Sequence, residues 1–198
     1  MNCQNLEKYI SQSDFKCVGL VAQHCDLEKL CIATEEAKTF DVIPLFCFEF
    51  VNDVLTNWNL ESGNENFQKY KDLICGGTYT DCNGKLQENM GFKKVWVYYS
   101  YARYNLINPF NDTANGMVGK KNEFSVPTPL DQLTDFSNKY RRMGKEAYQS
   151  VLEYLCSNKA LFPKFDDCNC KKACGCSGSC SCGKTKKMTG FKFSTVRK

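Results

Sequence analysis

The chain has 198 residues, 42% hydrophobic and 13% aromatic, which is enough apolar material for a core and excludes global disorder. Its net charge of +4 is unevenly distributed, because residues 1–158 hold 16 Lys and Arg against 20 Asp and Glu, whereas residues 159–198 hold 10 against 2. We therefore predict a mildly acidic body, 1–158, followed by a small basic tail, 159–198.

No segment of the sequence predicts contact with a membrane. The longest nearly apolar run, Val42–Phe48, is interrupted by Pro44 and is far shorter than the roughly 18–20 residues that span a bilayer. Residues 1–10 lack a basic patch followed by an apolar stretch, so we predict no signal peptide. The expectation is a protein made in the cytoplasm.

Apolar spacing in the first half of the body is helical. Asp26 is a suitable N-cap for a helix through Ala37, and Pro44 is expected to end or kink that helix. A second helix follows, with its apolar face running from Cys47 to Trp58, and a short helix at 67–74 is stopped by Gly76-Gly77.

The second half adds a hairpin, two helices and an extended segment. Asn83-Gly84 is a strong hairpin signal, and a helix follows from Met90 to Leu106. Residues 108–116 have turn composition, Met117–Ser125 is predicted as an extended arm, and Thr128-Pro129 opens the longest helix, to about Cys156. The predicted fold is mainly α, with four to five helices, one β-hairpin, an extended arm and a small C-terminal tail.

Four passages carry a family resemblance: ATEEAKTFDVIPLFCFEFVNDVL, GGTYTDCNGKLQENMGFKKVWVYYSYARYNL, VGKKNEFSVPTPL and NKYRRMGKEAYQSVLEYL. In this order they resemble head-to-tail connector proteins of tailed bacteriophages, most closely the ring-forming neck proteins of crAss-like phages of Bacteroidales. The resemblance covers roughly residues 20–157. It implies a virion protein of the neck, assembled in the host bacterial cytoplasm as a closed, typically dodecameric ring under the portal. Genomic DNA would pass through the lumen without sequence-specific contact, and no enzymatic activity is implied.

Two groups of residues are candidates for the contact between subunits. The arm offers unpaired backbone groups to a neighbour, with Lys120, Asn122, Glu123 and Phe124 at its centre, although an internal edge strand or a surface loop would show the same pattern. The stretches SYARY and NKYRRM supply arginine and tyrosine, which are enriched at interface hot spots. The candidates there are Arg103, Tyr104 and Arg141; alternatively, the aromatics close the core and the arginines form surface pairs.

The tail contains three Cys-x-Cys units at a six-residue period. Thiolates at this density suit Zn²⁺, and Gly175, Gly178 and Gly183 would let the chain turn around an ion. Disulfides and free thiols stay open, because structural zinc sites more often use Cys-x2-Cys spacing. The candidate ligands are Cys168, Cys170, Cys174, Cys176, Cys180 and Cys182.

Enzymatic function is the least supported class. The chain has one histidine, His24, and no nucleophile–base pair or glycine-rich phosphate loop is recognisable. The basic residues after the cysteines could bind phosphate backbones or an acidic neighbouring protein. We therefore predict a structural ring protein that contacts itself, the portal and other neck or tail proteins. The alternative is a nucleic-acid-binding protein with a Cys-rich zinc-binding tail.

Overall fold

The computed structural model describes residues 8–18, 27–113, 116–119 and 128–165, and this part of the chain is mainly helical, as predicted. The helices are α1 Leu27–Ala37, α2 Ile43–Phe46, α3 Phe48–Thr56, α4 Phe67–Cys75, α5 Phe92–Ile107 and α6 Leu130–Ser157. Two antiparallel pairs join β1 Gly77–Thr80 to β2 Leu86–Asn89 and β3 Phe110–Thr113 to β4 Gly116–Gly119. Short 3-10 helices occupy Gln12–Cys17 and Lys159–Leu161. None of the helices in these ranges is long and apolar enough to cross a membrane.

Helix α5 lies at the centre of the fold. Residues 95–100 are all buried, so the helix has no solvent face over nearly two turns, and α1 and α6 pack against it. Trp96 is fully buried, and its indole N–H donates to the Thr34 carbonyl of α1 at 2.9 Å. Gly144 of α6 lies against Tyr98 and Tyr99, where an added Cβ would come within 3.1 Å of the Tyr99 ring. The glycine therefore permits the close approach of α5 and α6.

The helix that contains Pro44 is widened rather than ended there. A π-helical turn, Lys38–Val42, leads directly from α1 into α2, and the Ile43 N–H donates to the Lys38 carbonyl. Proline lacks an N–H and crowds the preceding turn, which a wider turn relieves. The break between helices falls instead at Cys47, whose φ is +64°. Pro44 was expected to end or kink the helix, but Ile43 keeps helical dihedrals and the helix ends at Phe46, just before Cys47.

The predicted hairpin is confirmed as β1–β2, and its base is fastened by two glycines and a buried asparagine. Gly76 and Gly91 have φ of +82° and +89°, and a Cβ on Gly91 would lie 2.7 Å from the Gly76 nitrogen. Asn89, 3% exposed, donates to the Asp72 carbonyl at 2.7 Å and accepts from the Gly91 N–H at 3.0 Å. These bonds connect the end of α4 to the start of α5.

Residues 108–116 were predicted to be turns throughout, which is wrong. Phe110–Thr113 is strand β3, and Met117–Gly119, the start of the predicted arm, belongs to its partner β4. Lys29 of α1 holds β3 by donating to the Phe110 carbonyl and, at 2.7 Å, to Asn111 Oδ1. Asn and Asp in this segment favour turns locally, but strand pairing prevails.

The folded body continues beyond the predicted boundary at residue 158. Phe162 and Phe165 are 2% and 5% exposed, and both rings pack against Phe50 of α3, at centroid distances of 6.3 and 5.1 Å. Residues 159–165 thus share the core of α3 and α6, although their charge had suggested that they belong to the tail.

Candidate interaction site

A cluster of ion pairs joins the three central helical segments. Asp41, in the π-helical turn, has a side chain only 7% exposed. It accepts from Arg103 Nε of α5 at 2.6 Å and from Arg141 Nη1 of α6 at 3.1 Å. Arg103 Nη1 also reaches Glu36 of α1 at 3.2 Å. We refer to Glu36, Asp41, Arg103 and Arg141 as the ion-pair cluster.

The cluster favours the charged form of Arg103. Burial alone would lower the pKa of Arg103, but hydrogen bonds and attraction from Asp41 and Glu36 raise it overall. The Arg103 guanidinium also stacks over the Phe40 ring, 5.5 Å from its centroid. Two of the predicted interface residues, Arg103 and Arg141, therefore have partners within their own chain; their exposed fractions are 18% and 39%.

Tyr104, the third predicted interface residue on a helix, is buried. It is 6% exposed, and its ring stacks with Tyr101 at a centroid distance of 6.4 Å. Tyr101 in turn meets Tyr140 of α6 edge to face at 4.6 Å. These tyrosines therefore pack between α5 and α6, which agrees with the alternative interpretation in which the aromatic residues close the core.

The other predicted site residues lie outside the described residues. These are the arm residues Lys120, Asn122, Glu123 and Phe124 and the six cysteines from Cys168 to Cys182. Their proposed roles stay predictions. Within the described ranges, no group of three or more His, Cys, Asp or Glu side chains is placed to hold a metal ion.

Body cysteines have two different states. Cys47 and Cys75 carry free thiols. Cys31, Cys82 and Cys156 are disulfide-bonded.

The first turns of α6 form an exposed surface that we call the acidic end, made of Leu130, Asp131, Leu133, Asp135 and Phe136. Leu130 and Phe136 are 62% and 51% exposed, and the first buried residue of the helix is Ser137. Asp131 and Asp135 are exposed and form no ion pair with any described residue. The apolar stripe of α6 therefore continues about two turns beyond the core.

A groove of about 300 Å³ lies near the opposite end of the same helix, between α4, β1 and the C-terminal turn of α6. We call it the α4–α6 groove; Lys69 and Asp72, of opposite charge, line it together with Tyr79, Tyr154 and Leu161. Tyr79 and Tyr154 meet edge to face at 5.2 Å, and Leu161 is 46% exposed. Burial, together with the nearby Asp72 and Tyr79, raises the pKa of Tyr154 to about 12, so its hydroxyl stays neutral.

Lys69, which lines the groove, and Lys164, which is not among the lining residues, have different surroundings. Lys69 Nζ lies 4.8 Å from the Tyr70 ring centroid and 5.0 Å from that of Phe162, and no described carboxylate is within ion-pair distance. Lys164, in contrast, pairs with Asp53 at 2.5 Å, and Tyr70 donates to the same carboxylate. Burial opposes ionisation of Asp53, but these hydrogen bonds, together with attraction from Lys164 and Lys69, outweigh it and lower its pKa. Lys69 therefore forms no ion pair with a described carboxylate, although its charge acts on Asp53.

A second groove, about 590 Å³, lies on the other side of the hairpin base beside Cys75, Lys93 and Lys94. Lys93 pairs with Asp14 at 2.7 Å, and the backbone N–H of Met90 donates to Ser150 Oγ at 3.1 Å. The side chains of Glu88 and Lys94 form no hydrogen bond or ion pair with a described residue, and Cys75 carries a free thiol.

The sequence prediction missed both exposed surfaces. Helical spacing places Leu133 and Phe136 on the same apolar stripe of the long helix as Ala147 and Val151, so the sequence predicts that they are buried; residues 159–161 fell within the predicted tail. One signal could have indicated that part of the stripe is exposed: α6 has 28 residues, whereas its packing partner α5 has 16. A helix that is much longer than its partner must expose part of its apolar stripe.

These features define a small, mainly helical protein whose longest helix carries an exposed surface near each end. The chain belongs to DUF6712, a family of unknown function, whose model matches residues 49–175, more than half of the chain. No curated protein and no solved structure matches it.

Proposed function

We propose that this protein is a structural subunit of a tailed-phage virion, which assembles with copies of itself into a closed ring in the neck. The observation that carries the proposal is the acidic end, because two of its large apolar side chains are more than half exposed although the helix behind them is well packed. Covering them by a neighbour is favourable by roughly 25 cal/mol for each Å² of apolar surface removed from water.

The sequence resemblance supplies the particular setting. It supports a ring, typically of twelve subunits, between the portal and the other neck or tail proteins, with genomic DNA passing through the lumen. The net charge of residues 1–158, −4, fits that role, since a body without excess positive charge gains little from counterion release and would not retain DNA. The basic tail would then contact an acidic neighbouring protein of the particle.

The proposed role is structural rather than catalytic, and the ion-pair cluster fits it. Asp41 connects α5 and α6 through Arg103 and Arg141, which fixes α6, the helix that carries the acidic end, against the central helix α5. A ring needs subunits of constant shape, because a small angular error per subunit accumulates around the circle and prevents closure.

The test is the assembly state of the full-length purified protein, measured by native mass spectrometry and negative-stain imaging. We expect closed rings whose mass is an integral multiple of 22.6 kDa. A protein that stays monomeric at concentrations up to about 100 µM, where even weak contacts of micromolar affinity would be occupied, would contradict the proposal.

A further inference from the structure

We propose that the arm of one subunit adds a strand to the free edge of β1 in the next subunit, beside the α4–α6 groove. This inference rests on the proposed ring and names the contact that links its subunits. The occupant of the edge is a second copy of this chain, through residues 120–125, the part of the arm that follows β4.

The two edges of the β1–β2 hairpin have different surroundings. The edge of β2 is engaged by α6, because Ser150 Oγ donates to the Glu88 carbonyl at 2.7 Å. Glu88 is paired with Thr78, and in an antiparallel ladder both members of such an outward-facing pair point their N–H and C=O groups away from each other. The same orientation recurs two residues later. Thr78 and Thr80 therefore present their backbone groups at the outer edge of β1.

This outer edge is open in the described part of the chain. Thr78 and Thr80 are exposed, and neither forms a hydrogen bond with a described residue outside the hairpin. The sequence of β1, GTYT, contains no charged residue and no proline, and its register with β2 is uninterrupted. Charges, prolines and bulges are the usual means by which an edge strand avoids pairing with another chain. The edge of β1 is therefore able to accept a further strand.

The α4–α6 groove lies along the same edge. Thr78 and Tyr79 line it together with Tyr154 and Leu161. Its volume of about 300 Å³ is at the lower limit of pockets that hold ligands, so it suits one or two side chains of an added strand. Because Lys69 and Asp72 line it with opposite charges, the groove selects its occupant by backbone pairing and shape rather than by net charge.

The arm is the segment whose own sheet cannot extend along it. Strand β4 pairs with β3 as far as Gly119, which lies opposite Phe110. The next position on the side of β3 is Pro109, which has no N–H and cannot continue the ladder. Residues 120–125, which the sequence predicts to be extended, therefore need another strand as a partner, and Phe124 among them supplies an aromatic side chain for the groove.

The arm cannot reach the β1 edge of its own chain. Phe124 precedes Leu130, the first residue of α6, by six residues, which span at most about 20 Å when fully extended. Tyr154, whose ring meets that of Tyr79 in β1, lies 24 residues after Leu130 on the same helix, roughly 36 Å away. The remaining gap, about 15 Å, exceeds the length of a phenylalanine side chain. An arm that occupies this edge therefore comes from another molecule.

A contact between an arm and an edge propagates from subunit to subunit. Each copy gives its arm to one neighbour and receives the arm of the other, which produces a ring when the rotation closes and a filament when it does not. The arm also leads directly into the acidic end, so the neighbour that receives it is held close to that exposed surface. The contact is thus of the type that a ring requires.

The first test changes the edge in the full-length protein. The edge variant carries Thr78→Pro and Thr80→Pro, which remove the two outward N–H groups without removing a ladder bond to β2. The matched control carries Thr78→Val and Thr80→Val, which keep both N–H groups. We expect native mass spectrometry to show rings for the control and monomers for the edge variant.

The second test changes the arm, by replacing residues 120–125 with alternating glycine and serine. This arm variant alone should also be monomeric. Mixed in equal amounts, the two variants should form a heterodimer of twice the 22.6 kDa chain mass, because the intact arm of one meets the intact edge of the other. If the edge variant loses its rings but the arm variant keeps them, another segment or another protein occupies β1 and the inference is wrong.

The third test identifies the occupant directly. Benzoylphenylalanine in place of Phe124, in rings assembled from ¹⁴N-labelled and ¹⁵N-labelled chains, should cross-link to β1 or the α4–α6 groove of a different chain. Circular dichroism and thermal melting establish that each variant is folded; if the two prolines lower the melting midpoint, Thr80→Pro alone replaces them. Rings that survive in both folded variants, or cross-links to other sites, overturn the inference. A wild-type protein that forms no ring refutes the proposed function instead, so the two failures are distinguishable.

Discussion

Replacing Asp41 with asparagine tests whether the ion-pair cluster is a determinant of stability. The substitution keeps the shape of the side chain but removes the charge that Arg103 and Arg141 share. One of the two carboxylate oxygens becomes an amide NH₂, which cannot accept a hydrogen bond. Either Arg103 or Arg141 therefore loses its acceptor.

The size of the effect follows from the burial of the partners. Removing one member of a fully buried ion pair costs about 3–5 kcal/mol, and a hydrogen bond to a charged group contributes about 1.5–3 kcal/mol. Asp41 is 7% exposed, but Arg103 at 18% and Arg141 at 39% keep some contact with water, which reduces the cost. We expect a loss of about 2–3 kcal/mol in the free energy of unfolding.

Urea denaturation followed by circular dichroism measures this loss, as a lower midpoint at an unchanged slope. The matched control is Glu36→Gln, which removes a carboxylate from the same Arg103 at a position 39% exposed, and should cost less than about 1 kcal/mol. If Asp41→Asn costs no more than the control, burial does not determine the strength of the cluster and the reasoning fails.

Three further predictions concern the hairpin base, the end of the body and pH. Gly91→Ala should lower the free energy of unfolding by about 3 kcal/mol or more, because the φ of +89° and the close approach to Gly76 exclude a Cβ. Gly63→Ala, where an added Cβ has open space, should leave it nearly unchanged in the same denaturation assay. Truncation after Phe165 should leave the melting midpoint of the body nearly unchanged. Truncation after Asn158 should lower it by more than about 5 °C, because the buried Phe162 and Phe165 are lost. Equal midpoints for the two truncations would place residues 159–165 outside the core. The pKa of Asp53 is lower in the folded state than in the unfolded chain, where it is near 4, so Asp53 contributes stability above that value and loses the contribution as pH falls through the folded-state pKa. The difference in unfolding free energy between wild type and Asp53→Asn should therefore shrink below about pH 4. A difference that stays constant with pH would contradict this.

Local chemistry explains the parts of the fold that the sequence predicts well. Gly76 ends α4 because its φ of +82° suits glycine, and Gly84 closes the β1–β2 hairpin with a φ of +76° for the same reason. Helix α1 buries Leu30, Thr34 and Ala37, which the apolar spacing of the sequence places on one face. Each of these features depends on residues close together in the sequence.

Features that depend on distant contacts were not predictable in the same way. The strand at Phe110–Thr113 has turn-forming residues and is held by Lys29, 81 positions earlier. The position of the helix break at Cys47 rather than Pro44 depends on the π-helical turn, which places Asp41 between Arg103 and Arg141. Sequence alone identified these arginines as notable but could not show whether their partners lie in the same chain.

The same limit applied to the candidate site. Apolar spacing predicts which residues of α6 share a face, but not where its packing partner ends. Phe136 continues the stripe that Ala147 and Val151 bury, and it is nevertheless 51% exposed. The exposed surfaces near the two ends of α6 become visible only when the shorter α5 is placed beside it.

In the proposed ring, stability and assembly depend on different parts of α6. Its middle section, with Arg141 and the aromatic contact of Tyr140 to Tyr101, packs within the subunit, whereas Phe136 is exposed and available to a neighbour. This separation determines how assembly experiments must be interpreted. A substitution of Arg103 or Arg141 that abolishes rings does not show an interface role, because loss of the ion-pair cluster would disturb the relation of α5 to α6 and so misplace both surfaces at once. Only a variant that keeps the wild-type unfolding free energy and still fails to assemble identifies a contact between subunits, and exposed side chains such as Phe136 are the positions where that combination is expected.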